Sequence, residues 1–240
     1  MSSATIIIPT TGSDTLKKCV ESALNQSYSN TKVYIVIDGY QYKEKVSNIL
    51  YDMNIDEKKW VTMVVPENVG ANGFYGHRIY AGTTHFINTD YVLYLDQDCF
   101  FEEGHVGSMI ETIEENDLDW AYSLRKIVDK EGNFVCNDDS ESLGKYNPVM
   151  QYHHVDTNCY CIKRSIATKI CQIWHGKWGQ DRVFYNIISN NFNKFDCTGQ
   201  YTVNYRSEGN EGSVRPEFFH HWNQRVSELY NGKFPWRKDD

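Results

Sequence analysis

The chain lacks any run near the ~20 consecutive apolar residues of a membrane-spanning helix, so no transmembrane segment is expected. Its start, Met1 to Pro9, has no basic region, and the apolar run Ile6-Ile7-Ile8 is too short for a secretory signal. It has 7 cysteines, an odd number, and no CxxC pair. That excludes the usual structural zinc spacing and points to free thiols in a reducing compartment. A cytoplasmic protein is the expectation. There is no basic excess either: 24 Lys and Arg stand against 32 Asp and Glu, for a net charge of −8. A nucleic-acid partner normally requires a basic face, so none is expected. Internal repeats, linkers and low-complexity segments are also missing. The 240 residues are enough for one domain with a large core.

Aromatics are plentiful at 14 %. They suit stacking on sugars and equally a well-packed core. One stretch organises the rest, Tyr91 to Phe101. Tyr91-Val92-Leu93-Tyr94-Leu95 has the composition of a buried strand. It runs into Asp96-Gln97-Asp98, and apolar residues resume at Cys99. On an extended backbone Asp96 and Asp98 point the same way. Two such carboxylates repel unless a cation lies between them, and a hard divalent ion such as Mn²⁺ or Mg²⁺ suits oxygen ligands. A polar turn with a capping Asp accounts for the same residues.

Hydrophobic patterning predicts β-α-β-α-β over the first third. Strands are expected at Thr5–Ile8, Lys32–Ile37 and Trp60–Val65. Helices are expected around Leu16–Leu24 and Val46–Leu50. Such alternation implies a parallel, three-layer α/β arrangement. A helix over Ile79–Phe86 precedes the Tyr91 strand, and another spans Gly104–Asn116. Beyond Asp119 the pattern is mixed. Strands are predicted at Trp120–Val128, Val155–Ile162, Lys194–Cys197 and Tyr201–Tyr205, with a hairpin turn at Asp129–Asn133. Helices are predicted at Lys163–Trp174, from Gly179 onward, and at Pro216–Tyr230 with Phe218, Phe219, Trp222, Val226 and Leu229 as its apolar stripe.

In open α/β sheets ligands lie beyond the carboxyl ends of the strands. Three predicted strand ends carry unusual residues here: Pro9-Thr10-Thr11, Asp38, and Asp96 with Asp98. Between the third and fourth strands lies a Gly/Asn-rich segment whose glycines, Gly70 among them, permit close backbone approach to a ligand. Arg78 follows as a fork-shaped anion donor. The set suits a nucleotide diphosphate. Individually, Asp38 before Gly39 is also ordinary turn chemistry, and Arg78 a surface helix residue.

These residues resemble the inverting family-2 glycosyltransferases of the GT-A fold. The resemblance rests on the Pro9-Thr10-Thr11 and Asp38-Gly39 strand ends, on Asn68-Val69-Gly70 with the downstream Arg78, and on Leu95-Asp96-Gln97-Asp98 as a variant of the DxD motif. Val20 to Tyr28 is similar to the family's first-helix signature. Arg78 to Gly82 matches its RN.G segment only in part, since Ile79 replaces Asn. Trp178-Gly179-Gln180-Asp181 matches the late (W)xED motif with Gln180 in place of Glu. The implied fold is α/β: a single GT-A domain with a central, mostly parallel sheet flanked by helices. A nucleotide-sugar half covers about 1–100 and a smaller mixed acceptor half about 101–240.

The resemblance further implies a UDP-sugar donor, such as UDP-glucose, and a saccharide or glycan acceptor. Pro9, Thr10, Thr11 and Asp38 would hold the uridine part, with Gly70, Arg78 and Gln97 also on the donor side. Asp96 would contact ribose or donor sugar. Asp98 would bind Mn²⁺ or Mg²⁺ bridging the diphosphate, with His220 or His221 as a further ligand, although a His pair on an amphipathic helix is also ordinary packing. Asp181 would be the general base, its alternative role being a helix N-cap. One displacement with one base inverts the anomeric configuration. Trp174, Trp178 and Tyr152 are candidates for stacking on sugars, with packing in the core the favoured reading of each. His153 and His154 are assigned to an acceptor-side loop without metal. The segment Ser207–Val214 is expected to close over the donor. Two other functions remain open, a nucleotidyltransferase acting on sugar phosphates and a non-catalytic carbohydrate-binding protein. The first usually carries a basic residue in the loop after the first strand, which Pro9 to Asp14 lacks.

Overall fold

The computed structural model describes residues 1–55, 60–146, 152–208 and 214–237. The first part is β1 (Ala4–Thr10), α1 (Leu16–Leu24), β2 (Thr31–Asp38), α2 (Lys43–Tyr51), β3 (Trp60–Val65), α3 (His77–Thr83) and β4 (Tyr91–Tyr94). These four strands stand in the order β3-β2-β1-β4, all parallel. All seven residues of β1 are buried. A strand with parallel neighbours on both sides and helices over its faces has no solvent side, which is why its sequence is continuously apolar. α1 and α3 both pack against β1. The buried positions Leu16, Cys19, Val20 and Ala23 form the helical stripe of α1.

The second part is β5 (Phe100–Phe101), α4 (His105–Glu115), β6 (Trp120–Val128), β7 (Phe134–Asn137), β8 (Tyr160–Lys163), α5 (Arg164–Ile170), α6 (Gln180–Asn191), β9 (Phe195–Arg206) and α7 (Pro216–Tyr230). Its strands extend the same sheet as β4-β8-β6-β9-β5, with β7 on β6. Pairing here is mixed: β8 is antiparallel to both β4 and β6, whereas β6 and β9 are parallel. The carboxyl ends of β1, β2 and β4 therefore open on one side, at the point where the chain has crossed from β3 back past β1 to β4.

Four elements differ from expectation. The strand expected over Val155–Ile162 is shortened by a 3-10 turn at Thr157–Cys159, because the Asp156 side chain accepts the Asn158 N–H and caps that turn. The two strands expected at Lys194–Cys197 and Tyr201–Tyr205 are one strand, β9. Its register against β6 shifts beside Tyr122 and Leu124, where Gly199 adopts φ +74°. The helix expected to Trp174 ends at Ile170 and continues as a 3-10 turn, Cys171–Trp174. On α7 only Phe219 and Val226 are buried, while Leu229 is 61 % exposed. The helix rests on the rim of the sheet at β7 and needs a narrower stripe than the sequence offers.

All 7 cysteines are free, and none but Cys136 is outside the buried class. Among the described residues no helix is long and apolar enough to cross a membrane. The aromatic excess is mostly core. Trp120, Trp174 and Trp236 are fully buried, and Trp174 stacks on Phe184 with ring centroids 4.0 Å apart. The segment expected to act as a lid, Ser207–Val214, falls largely at 209–213, outside the described residues.

Candidate functional site

A cavity of about 400 Å³ opens where β1, β2 and β4 end. Pro9, Thr10 and Thr11 line it from the end of β1, Asp38 from β2, and Asp96, Gln97 and Asp98 from the turn after β4. Three of these are held by each other. Gln97 Oε1 accepts from Thr10 Oγ1 at 2.7 Å, from the Thr11 N–H at 3.1 Å and from the Ser13 N–H at 3.2 Å. Gln97 thus clasps the β1 loop to the acidic turn.

Asp38 is 4 % exposed and does a similar job on the other side. Its two oxygens accept the Val69 N–H at 2.7 Å and the Gly70 N–H at 2.8 Å. Burial pushes its carboxyl pKa up, against the lowering effect of the two amides. Gly70 has no space for a side chain: a Cβ there would lie 2.1 Å from the Tyr75 carbonyl oxygen. It lines the cavity through its backbone.

Asp96 is set by the aromatic layer beneath it. The Tyr80 hydroxyl donates to Oδ1 at 2.8 Å, and Tyr80 packs edge-on against Tyr94. Asn158 donates to Oδ2 at 3.2 Å and accepts the Asp96 N–H at 2.6 Å. Burial, then the nearby charges of Asp98 and Asp156, push the Asp96 pKa up to about 7. The Asp98 carboxyl is raised too, mainly by burial. Arg206 donates to the Asp98 backbone carbonyl at 2.9 Å and so ties the turn to β9.

The opposite wall comes from the second half of the sheet. Arg125, in the middle of β6, donates to Asp138 at 2.8 Å, to Glu141 at 2.6 Å and to Asp156 at 2.6 Å. Arg125, Glu141 and Asp156 line the cavity. The Asp138 carboxylate also accepts the N–H groups of Ser140, Glu141 and Ser142, which folds the loop after β7 around it. Asp181 enters from the first turn of α6, after Gly179 in a left-handed conformation at φ +80°. Its Oδ1 accepts the adjacent Arg182 N–H at 2.8 Å, and its Oδ2 lies 3.7 Å from His154 Nε2. Burial raises its pKa, opposed by His154. Trp178 stands at the mouth, 65 % exposed, with the Arg182 guanidinium 5.0 Å from its ring and 3.7 Å from that of Tyr152.

Two sequence expectations need correction, those for Arg78 and for the histidine pair. Arg78 does not line the cavity. Its guanidinium lies 3.3 Å over the Phe74 ring and donates to the Val69 carbonyl, bracing the loop that carries Gly70. His220 and His221 are exposed on α7 and outside the cavity wall. The helix buries Phe219, and the next two positions, ~100° apart each, turn away from that face. Trp174 is buried in the core, the reading its sequence context favoured, and offers no face to a sugar. Conversely, Asn158, Tyr80 and the Arg125 cluster were not among the predicted site residues. A charged residue inside the apolar run Trp120–Val128 was the available signal for Arg125.

The charges decide what the cavity can bind. Among the described residues its wall carries six carboxylates, Asp38, Asp96, Asp98, Glu141, Asp156 and Asp181, against two guanidiniums, Arg125 and Arg182. A diphosphate entering alone would meet net repulsion. A divalent cation reverses that local balance, and the oxygen donors at the acidic turn suit a hard ion such as Mn²⁺ or Mg²⁺. Among the described residues no group of three or more His, Cys, Asp or Glu side chains forms a protein cage for a metal.

A family model, Glycosyl transferase family 2, matches residues 5–163 of the 240. Among solved structures the chain is similar to S. aureus TarS 1–349. In complex with UDP that protein gives a TM-score of 0.60 at 17 % identity, over 95 % of this chain and 66 % of that chain. In complex with UDP-GlcNAc it gives 0.64 at 15 % identity, over 95 % and 67 %. This chain spans about two thirds of that length, and the likeness concerns the fold. An uncharacterized protein of Haemophilus influenzae is 28 % identical over 104 residues, 36 % of this chain and 70 % of its own.

Proposed function

The chain belongs to glycosyl transferase family 2, and from that premise we propose that it moves a hexose from a UDP-sugar to an acceptor hydroxyl with inversion at the anomeric carbon. The observation that carries the proposal is the meeting of Asp98 and Asp181, from the two halves of the chain, in the wall of one cavity. The UDP and UDP-GlcNAc complexes of TarS, which shares the fold, support the choice of donor.

Thr10, Thr11, Asp38 and the Gly70 backbone would surround the nucleoside. Asp38 retains acceptor capacity beyond its two amide bonds. Asp96, fixed by Tyr80 and Asn158, would accept from ribose or donor-sugar hydroxyls. Asp98 would hold Mn²⁺ or Mg²⁺, which when bound supplies positive charge where the departing diphosphate gains negative charge. Asp181 would take the proton of the acceptor hydroxyl. Its elevated pKa makes it a stronger base than an exposed carboxylate. Trp178, exposed at the mouth three residues ahead of Asp181, offers an apolar face for an acceptor sugar ring. The free thiols support a reducing, cytoplasmic setting.

The test is a product assay. UDP-glucose and UDP-GlcNAc are incubated with Mn²⁺ and a panel of saccharides, and products are read by mass spectrometry. UDP release with a glycosylated acceptor is expected, and Asp181→Asn should abolish it with UDP binding retained. Pyrophosphate as the released product would favour a nucleotidyltransferase instead. Binding of saccharide with no turnover of any donor would favour a carbohydrate-binding protein.

A further inference from the structure

His154 is 2 % exposed and lies in the cavity wall beside Asp181. Its neighbour His153 is tied by Nδ1 to the Gly144 carbonyl at 2.9 Å. The His154 ring has no such tie. Its Nδ1 finds no hydrogen-bond partner among the described residues, and its Nε2 faces Asp181 Oδ2 at 3.7 Å. The backbone is held, since the His154 carbonyl accepts the Gly144 N–H at 2.9 Å. The ring is thus enclosed by its burial and pointed at one carboxylate. We infer that His154 is a positioning residue for Asp181: its Nε2–H orients the carboxylate and keeps it ionised until an acceptor hydroxyl arrives. This rests on Asp181 being the base.

A neutral imidazole has one N–H and one lone pair. With the proton on Nδ1, a buried donor would go unpaired and a lone pair would face a carboxylate. With the proton on Nε2, the donor faces Asp181 and only a lone pair goes unused, which costs less. The present 3.7 Å is too long for a formed hydrogen bond. At that distance the Nε2–H acts on the carboxylate as an aimed dipole, and the Asp181 side chain is 25 % exposed, so its outer edge faces the cavity.

The surroundings explain why the contact matters. Asp156 and Glu141 both face Asp181 and, with burial, favour its protonated form. The phenols of Tyr152 and Tyr160 also border it. Arg182, next along α6, donates only its backbone N–H to Asp181 and turns its guanidinium to the Tyr152 hydroxyl at 2.8 Å. His154 is the counterweight. Around His154 itself, burial lowers the pKa first; Asp181 on α6, Asp156 on its own loop and Asp138 after β7 raise it, and Arg125 on β6 lowers it. Burial prevails, so the ring stays a neutral donor.

The test titrates Asp181 directly. Carboxyl carbons of ¹³C-labelled aspartate are followed by NMR from pH 4 to 9 in the wild type, His154→Leu and His154→Gln, with Asp181→Asn assigning the signal. His154→Leu should raise the Asp181 midpoint. His154→Gln, which keeps an N–H donor, should recover part of that. The acid limb of UDP release from UDP-GlcNAc with Mn²⁺ should move in the same direction. An unmoved midpoint in both variants overturns the inference. If His154→Leu does not fold, wild-type imidazole ¹⁵N shifts decide: an Nε2–H ring is expected, and an Nδ1–H ring or an imidazolium at pH 7 overturns it. Full transfer activity in Asp181→Asn would remove Asp181 as base while leaving the midpoints to report on the His154 contact alone.

Discussion

Replacing Arg125 with methionine removes one guanidinium from three carboxylates and leaves a side chain of similar length. The guanidinium contacts Asp138, Glu141 and Asp156 at 2.8, 2.6 and 2.6 Å, and the side chains involved are 3 % (Arg125), 0 %, 7 % and 9 % exposed. Breaking a buried ion pair by removing one partner costs about 3–5 kcal/mol, because the other charge stays buried without compensation. The three contacts share one donor and are not additive, so ~4 kcal/mol is a fair figure for the variant at neutral pH. At roughly 3 °C per kcal/mol for a chain of this size, the melting temperature should fall by roughly 12 °C. The pH dependence has a definite sign. In the variant, the buried carboxylates would hold protons above the ~4 of an unfolded chain. The native state then binds more protons than the unfolded state between about pH 4 and neutrality, and stability falls as pH rises through that window. In the wild type, burial pushes Asp138 up but Arg125 and the loop amides outweigh it, holding its pKa below the usual range. That contribution is present above pH ~4 and is lost on acidification. The orphaned carboxylates of the variant make the gap between the two proteins wider near pH 7 than near pH 5, a window in which the wild-type Asp138 contribution is fully present. Thermal melts by circular dichroism across that range measure it. Equal melting temperatures at pH 7, or a gap that widens toward acid, would refute the reasoning.

Three further outcomes are expected. Asp38→Ala orphans the Val69 and Gly70 amides, each worth about 1–3 kcal/mol if left buried and unpaired; melting temperature and UDP affinity, by thermal scan and calorimetry, should both fall, and unchanged UDP affinity would contradict the placement of that loop. Trp178→Ala, at an exposed position, should change stability by less than about 0.5 kcal/mol yet raise the acceptor KM with the donor KM unchanged; an unchanged acceptor KM would remove Trp178 from the acceptor path. Asp96 has a folded pKa near 7, above its unfolded value, so metal-free protein should lose stability as pH rises from about 4 through 7. Protons then compete with a divalent ion for the acidic turn. The melting shift given by Mn²⁺ should be larger at pH 8 than at pH 6, and equal shifts would contradict that competition.

The parallel half was legible in the sequence because its signals are local. A continuous run of β-branched residues stopped by proline, such as Ile6-Ile7-Ile8-Pro9, reads as a strand buried on both faces, and the residues that follow each run are carried to the same edge by topology alone. Pro9, Thr10, Thr11, Asp38, Asp96 and Asp98 were therefore found together. Side-chain direction was not legible. Arg78 turns back onto Phe74, four residues earlier, and His220 and His221 turn outward because Phe219 and Val226 take the buried face of α7. The second half depends on contacts across long separations. Asn158 reaches Asp96 from 62 residues away, and Arg125 gathers carboxylates from both sides of a loop whose residues 147–151 lie outside the described ones. Neither pairing leaves a periodic trace. Trp178 and Trp174, four residues apart, carry the same composition signal, yet one is 65 % exposed and the other fully buried.

Calorimetry of UDP binding tests the central claim most directly. Wild-type protein is titrated with UDP in the presence of Mn²⁺, then in excess EDTA, and Asp98→Asn is titrated with Mn²⁺ present. Binding in the first titration and its loss in the other two is the predicted result. Equal affinity in all three would mean that the acidic turn after β4 does not seat a cation for the diphosphate.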